Sequence, residues 1–100
     1  MIVEYLRYSL PPERQDGLVA AYGTAAEPLP ASGQALLLDM AGCVEEPSEF
    51  ILRIEWRSAE AHMQEFRGSP AFRAFFAHIR PVVGDIREMQ HYEPLPSRTP

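Results

Sequence analysis

Lysine and asparagine are missing altogether from this chain of 100 residues, and cysteine and tryptophan occur once each. Without lysine there is no side-chain amine for Schiff-base chemistry. Without asparagine, no mechanism that needs its carboxamide can operate. A lone Cys43 excludes an intrachain disulfide and any cysteine-built metal site within one chain; it reads as a small, half-buried hydrophobe at a strand end. No apolar run reaches the ~20 residues that span a bilayer, and the start, Met1 to Tyr8, carries Glu4 in place of a basic segment followed by a long apolar one. The expectation is a cytoplasmic protein without signal peptide or membrane contact. GxGxxG, P-loop, GxSxG and HExxH patterns are all absent, which disfavours nucleotide binding and serine-hydrolase chemistry and leaves no expected metal site.

What is present describes one globular domain. Hydrophobic residues make up 46% and charged residues 23%, which is ordinary for a folded chain. The expected domain is 1–94, with a frayed tail over 95–100. Fourteen acidic residues against nine arginines leave a net charge of −5, which repels phosphate backbones and anionic membranes, so no nucleic-acid partner is expected. A core of this size is thin, and burial against a second subunit would help it. The ten prolines fall between periodic segments and punctuate them.

Ile2 to Tyr8 suits a strand, interrupted by Glu4 and Arg7. After Pro11-Pro12, Leu18, Tyr22, Ala25 and Ala26 recur at helical spacing, and Pro28 and Pro30 end that helix. The apolar run Ala35 to Ala41 predicts a second strand. Phe50 to Trp56 alternates, with Phe50, Leu52, Ile54 and Trp56 on a core face and Ile51, Arg53 and Glu55 on the other. Ser58 caps a second helix with Ala59, Met63 and Phe66 as its apolar stripe. Ser69-Pro70 starts a third, where Phe72, Phe75, Phe76 and Ile79 repeat at i, i+3, i+4 and i+7, and Pro81 with Gly84 closes it. Ile86 to Glu93 forms the last strand.

Strand, helix, strand, strand, helix pair, strand is the order of a ferredoxin-like α+β fold: a four-stranded antiparallel sheet with helices on one face. The other face, carrying Ile51 and parts of Leu38, Met40 or Tyr5, needs cover. Two such sheets closed on one another supply it, with Arg53 and Glu55 covered in complementary pairs, so a homodimer is expected.

The stretch Phe50-Ile-Leu-Arg-Ile-Glu-Trp-Arg-Ser-Ala-Glu-Ala-His-Met-Gln-Glu-Phe-Arg-Gly-Ser-Pro-Ala-Phe resembles the strand, Trp-x-Ser, helix, Ser-Pro, Phe segment of antibiotic-biosynthesis-monooxygenase-like proteins of the dimeric α+β barrel superfamily. The resemblance implies a homodimer with a pocket in each subunit between sheet and helices. It also implies a cofactor-free oxygenase of an aromatic or quinol molecule, or a non-catalytic ligand-binding or accessory domain near a haem or redox partner. Several family positions differ here. Ile54 stands where many members have Glu two residues before the Trp, Glu65 where a His is frequent, and Phe76 where the haem-degrading branch places its iron ligand, with His78 on another face. No cofactor is therefore expected, nor haem degradation.

His62, His91 and Arg7 are the candidate catalytic groups. The histidines are the natural acid or base near neutrality: His62 flanks the Met63 and Phe66 stripe, and His91 lies on the last strand. His62 has a plainer reading as a histidine at a helix boundary satisfied by a backbone carbonyl or water, and His91, alternating with Met89 and Arg87, is expected to line either the pocket or the intersubunit barrel. Arg7, odd on an apolar strand, could clamp a phenolate or pair with Glu4 or Glu93. Tyr5, Tyr22, Trp56, Phe66, Phe72 and Phe76 are the candidate binding aromatics for a small apolar or aromatic molecule. Most of the aromatic set is more simply accounted for as core, and Phe76 is expected to be central to it.

Overall fold

A computed structural model describes residues 1–26, 35–58 and 68–98. The expected second helix, with His62 and Phe66 on it, lies outside the described residues, as do Pro28 and Pro30 at the expected end of the first. The described elements run β1 (Ile2–Ser9), a 3-10 turn (Pro12–Arg14), α1 (Gln15–Ala25), β2 (Ala35–Gly42), β3 (Glu49–Trp56), α2 (Pro70–Ile79), a 3-10 segment (Arg80–Asp85) and β4 (Ile86–Tyr92).

The four strands form one sheet in the order β2-β3-β1-β4, and every neighbouring pair is antiparallel. This is the ferredoxin-like arrangement that the element order predicts. In the centre, Leu6 faces Leu52 on one side and Met89 on the other. α1 and α2 pack on one another, and they bury Leu18, Tyr22, Ala25, Phe75 and Ile79 in the same core as Leu6, Tyr8, Leu52, Ile54 and Trp56. Each such aliphatic side chain contributes roughly 1.5–3 kcal/mol relative to exposure.

Local chemistry explains the helix ends. Ser69 holds an extended backbone and its hydroxyl accepts from the Phe72 amide at 3.2 Å, while Pro70 occupies the first turn, where its missing N–H costs nothing. At the far end the α-helix closes at Ile79, just before Pro81, as its sequence predicts. The chain then tightens into a 3-10 segment through Asp85; a proline fits the first turn of that new segment for the same reason that Pro70 fits. Arg14, from the turn before α1, grips Asp85 with two bonds of 2.9 and 2.7 Å and so ties the start of α1 to the chain leaving α2.

Two expectations, the faces of Leu38 and Met40 and the burial of Cys43, are corrected by the structure. Leu38 lies opposite Ile54 and Met40 opposite Leu52, so both face the helices; the outer face takes Leu37 from β2, opposite Glu55. A bulge between Ala35 and Leu37 sets this phase. Arg53 pairs within its own chain, with Glu55 at 2.6 Å and Asp39 at 3.6 Å. Cys43 is exposed, because the strand ends at Gly42 and the chain turns there; its thiol reaches the Glu45 carboxylate at 3.6 Å.

Candidate functional site

Between sheet and helices lies a cavity of about 340 Å³. Leu6, Ile54, Trp56 and Met89 form its sheet side. Tyr22 of α1 and Phe72, Phe75, Phe76 and Ile79 of α2 form the helix side, with Val83 and Ile86 at the end. The apolar stripe of α2 is thus divided: Phe75 and Ile79 are buried, whereas Phe72 and Phe76 are only partly buried and wall the cavity. Phe72 and Phe76 pack ring against ring, tilted by 33°, with centroids 5.8 Å apart. Phe76 is therefore not the fully buried core ring that its stripe predicts; the cavity lies where its packing partners would be.

Among the described residues, the wall contains one carboxylate. Glu4 is 3% exposed, on the central strand between β3 and β4, where the pleat turns residues 4, 6 and 8 toward the helices. Burying a carboxylate is costly unless polar groups meet it. Here the Trp56 indole N–H donates to Glu4 Oε1 at 3.1 Å, and His91 Nε2 lies 3.6 Å from Oε2. Glu4 and His91 are direct cross-strand partners.

Deeper in the core, the hydroxyls of Tyr8 and Tyr22 hydrogen-bond to one another, and neither residue has any exposed surface. Burial pushes the Tyr8 hydroxyl up to about 12, with the Glu4 and Asp85 charges adding to the rise and the Tyr22 hydrogen bond opposing it. Tyr22 is raised further, by burial first and then by Tyr8 and the Glu4 charge. Both remain neutral phenols at physiological pH, so they serve as hydrogen-bonding hydroxyls and not as phenolate bases.

Of the residues singled out from sequence, Tyr22, Trp56, Phe72 and Phe76 line this cavity, and His91 reaches it through Glu4. Arg7 and Tyr5 sit on the outer face of β1. Arg7 pairs with Glu49 at 3.1 Å, not with Glu4 or Glu93, and Tyr5 packs edge-on against Tyr92 at 5.4 Å. His78 is exposed on α2. Glu4 figures in the sequence expectations only as an interruption of the first strand or an ion-pair partner of Arg7. Strand parity was the available signal, since Glu4 shares its phase with Leu6 and Tyr8. Among the described residues, no group of three or more His, Cys, Asp or Glu side chains could hold a metal ion, and no helix is long and apolar enough to cross a membrane.

An antiparallel ferredoxin-like sheet with an aromatic cavity beneath its helices defines a class of small α+β domains. Within that class the chain belongs to the antibiotic biosynthesis monooxygenase (ABM) family, which its residues 1–78 match. Solved structures agree on the fold. A candidate antibiotic biosynthesis monooxygenase from Bordetella bronchiseptica is 21% identical with a TM-score of 0.73, over 94% of this chain and 96% of that one. Rv0793 from Mycobacterium tuberculosis is 19% identical with a TM-score of 0.72, over 98% of both chains. A candidate monooxygenase of the same family from Chloroflexus aurantiacus is 18% identical with a TM-score of 0.71, over 98% and 96%. No curated protein matches the sequence.

Proposed function

We propose that the protein binds a flat aromatic molecule in the cavity between sheet and helices, and does so as a homodimer. The observation that carries the reading is the lining: the rings of Tyr22, Trp56, Phe72, Phe75 and Phe76 surround one space, with the Glu4 carboxylate at its sheet side. Apolar walls supply affinity for a flat ring system, and a few placed polar groups fix its orientation. The dimer is supported by the outer sheet face, where Tyr5, Leu37, Ile51 and Tyr92 are exposed together. Quenching of Trp56, the only tryptophan, by a panel of phenols and quinols tests binding; an unquenched indole across the panel sinks it. Light scattering on the wild type and on Ile51→Arg tests the dimer, which the variant should break.

A second reading, oxygenation without a cofactor, is favoured by the Glu4 and His91 contact. A carboxylate in the wall that touches an imidazole at the rim can take a proton from bound substrate and hand it outward. An electron-rich CH2 flanked by aromatic rings would then become a ketone, one atom of O2 entering the carbonyl and the other leaving as water. Oxygen uptake measured beside the quenching separates the two readings: uptake lost in His91→Gln with binding retained supports turnover. The reading includes no haem, because Phe76 offers the cavity a ring without a donor atom.

A further inference from the structure

We propose that Glu4 makes this cavity selective for planar aromatic cations, such as protonated heteroaromatic amines, over neutral and anionic molecules of the same shape. The proposal rests on the aromatic-binding reading above and names the ligand class for that site.

Two features of the wall point the same way. First, Glu4 is a buried carboxylate placed among the rings of Trp56, Tyr22, Phe72 and Phe76. A cation held there meets ring faces and a carboxylate together, and both attract it more strongly once water is excluded. The rings already show this affinity: the Arg80 guanidinium lies 5.5 Å from the centroid of Phe76. Second, negative charge is penalised in the same space. Among the described residues, Glu4 meets Trp56 from β3, His91 from β4 and, through their charges, Tyr8 and Tyr22. Both phenols are held in the neutral form by burial and by the Glu4 charge. A ligand carboxylate or phenolate in the cavity would meet the same two penalties. The described lining residues include no arginine to offset them.

Glu4→Gln is the test substitution, because it removes the charge while its amide oxygen still accepts from the Trp56 indole. Three ligands share one ring shape: aminoacridine, a cation near neutral pH; anthracenemethanol, neutral; and anthracenecarboxylate, an anion. Dissociation constants come from Trp56 quenching, checked by equilibrium dialysis. The expected order is cation, neutral, anion, with about tenfold or more between the first two, the scale of one charge-assisted contact. Glu4→Gln should lose the preference for the cation over the alcohol, while Glu45→Gln, on an exposed turn, should keep it. Because the chain as a whole is acidic, a preference that survives Glu4→Gln would belong to the net charge and would overturn the proposal. Should that variant not fold, the wild type decides at about 1 M salt, where the Debye length is about 3 Å: a buried carboxylate keeps its preference, and loss of the preference overturns the proposal. Equal binding of all three ligands refutes the cation selectivity alone. Binding of none refutes the aromatic-binding reading with it.

Discussion

Glu4 and Trp56 are not opposite one another in the sheet, yet they hold each other. Glu4 faces Ile54 across the ladder and Trp56 faces Ile2; the indole N–H crosses the diagonal to reach Glu4 Oε1. The contact fixes the largest fully buried side chain and supplies a donor to a carboxylate that has left water.

Trp56→Phe therefore removes more than ring area. The loss of a donor to a buried charged acceptor costs about 1–3 kcal/mol beyond the packing change. Urea denaturation followed by circular dichroism should show this loss, and Glu4→Gln in the same background should recover part of it. Independent, additive effects of the two substitutions would show that the contact contributes nothing.

Tyr8→Phe and Tyr22→Phe should each cost about 1–2 kcal/mol, because each leaves the other buried hydroxyl without its partner. The double variant should cost little more than either single one. A double-mutant cycle with no coupling would contradict the shared bond.

The same pair sets the alkaline limit. Tyr8 is raised from its ordinary 10 to about 12 in the folded protein, so the fold retains its phenolic proton where the unfolded chain gives it up. That contribution is complete below about pH 10 and is lost as pH rises toward 12. Titration by ultraviolet absorbance should find two of the four tyrosines ionising only as the protein unfolds. Four ionisations near pH 10 in the folded state would contradict it.

Adjacent rings on α2 should respond differently. Phe75 is buried, and Phe75→Ala should destabilise by about 3–5 kcal/mol. Phe76→Ala should cost clearly less and weaken aromatic binding instead, since it enlarges a space that already exists. Equal thermal shifts for the two variants would place Phe76 in the core after all.

How far the chain could be read in advance depended on whether each segment alternates. β3 does, and Leu52, Ile54 and Trp56 are buried on the face that its phase assigns. α2 carries both its cap and its stripe in the sequence, so its start at Pro70 was legible. β2 is apolar at both phases from Leu36 to Leu38, and a bulge there decides which residues turn inward; no composition records that choice. Glu4 was obscure for another reason. A charge in a strand ordinarily marks a wet face, and only its shared phase with Leu6 and Tyr8 speaks for the enclosed one.

The place of β1 has a consequence for how the molecule is made. It is an interior strand, with Val3 facing Glu55 on one side and Tyr92 on the other, so it leaves the ribosome well before the partners it needs. Neither the sheet nor the cover over Glu4 can close until β4 has emerged. Folding of this domain is then a late event in synthesis, dominated by contacts distant in sequence and slow for that reason. Until then a growing chain exposes one unpaired apolar strand, the kind of segment that chaperones protect.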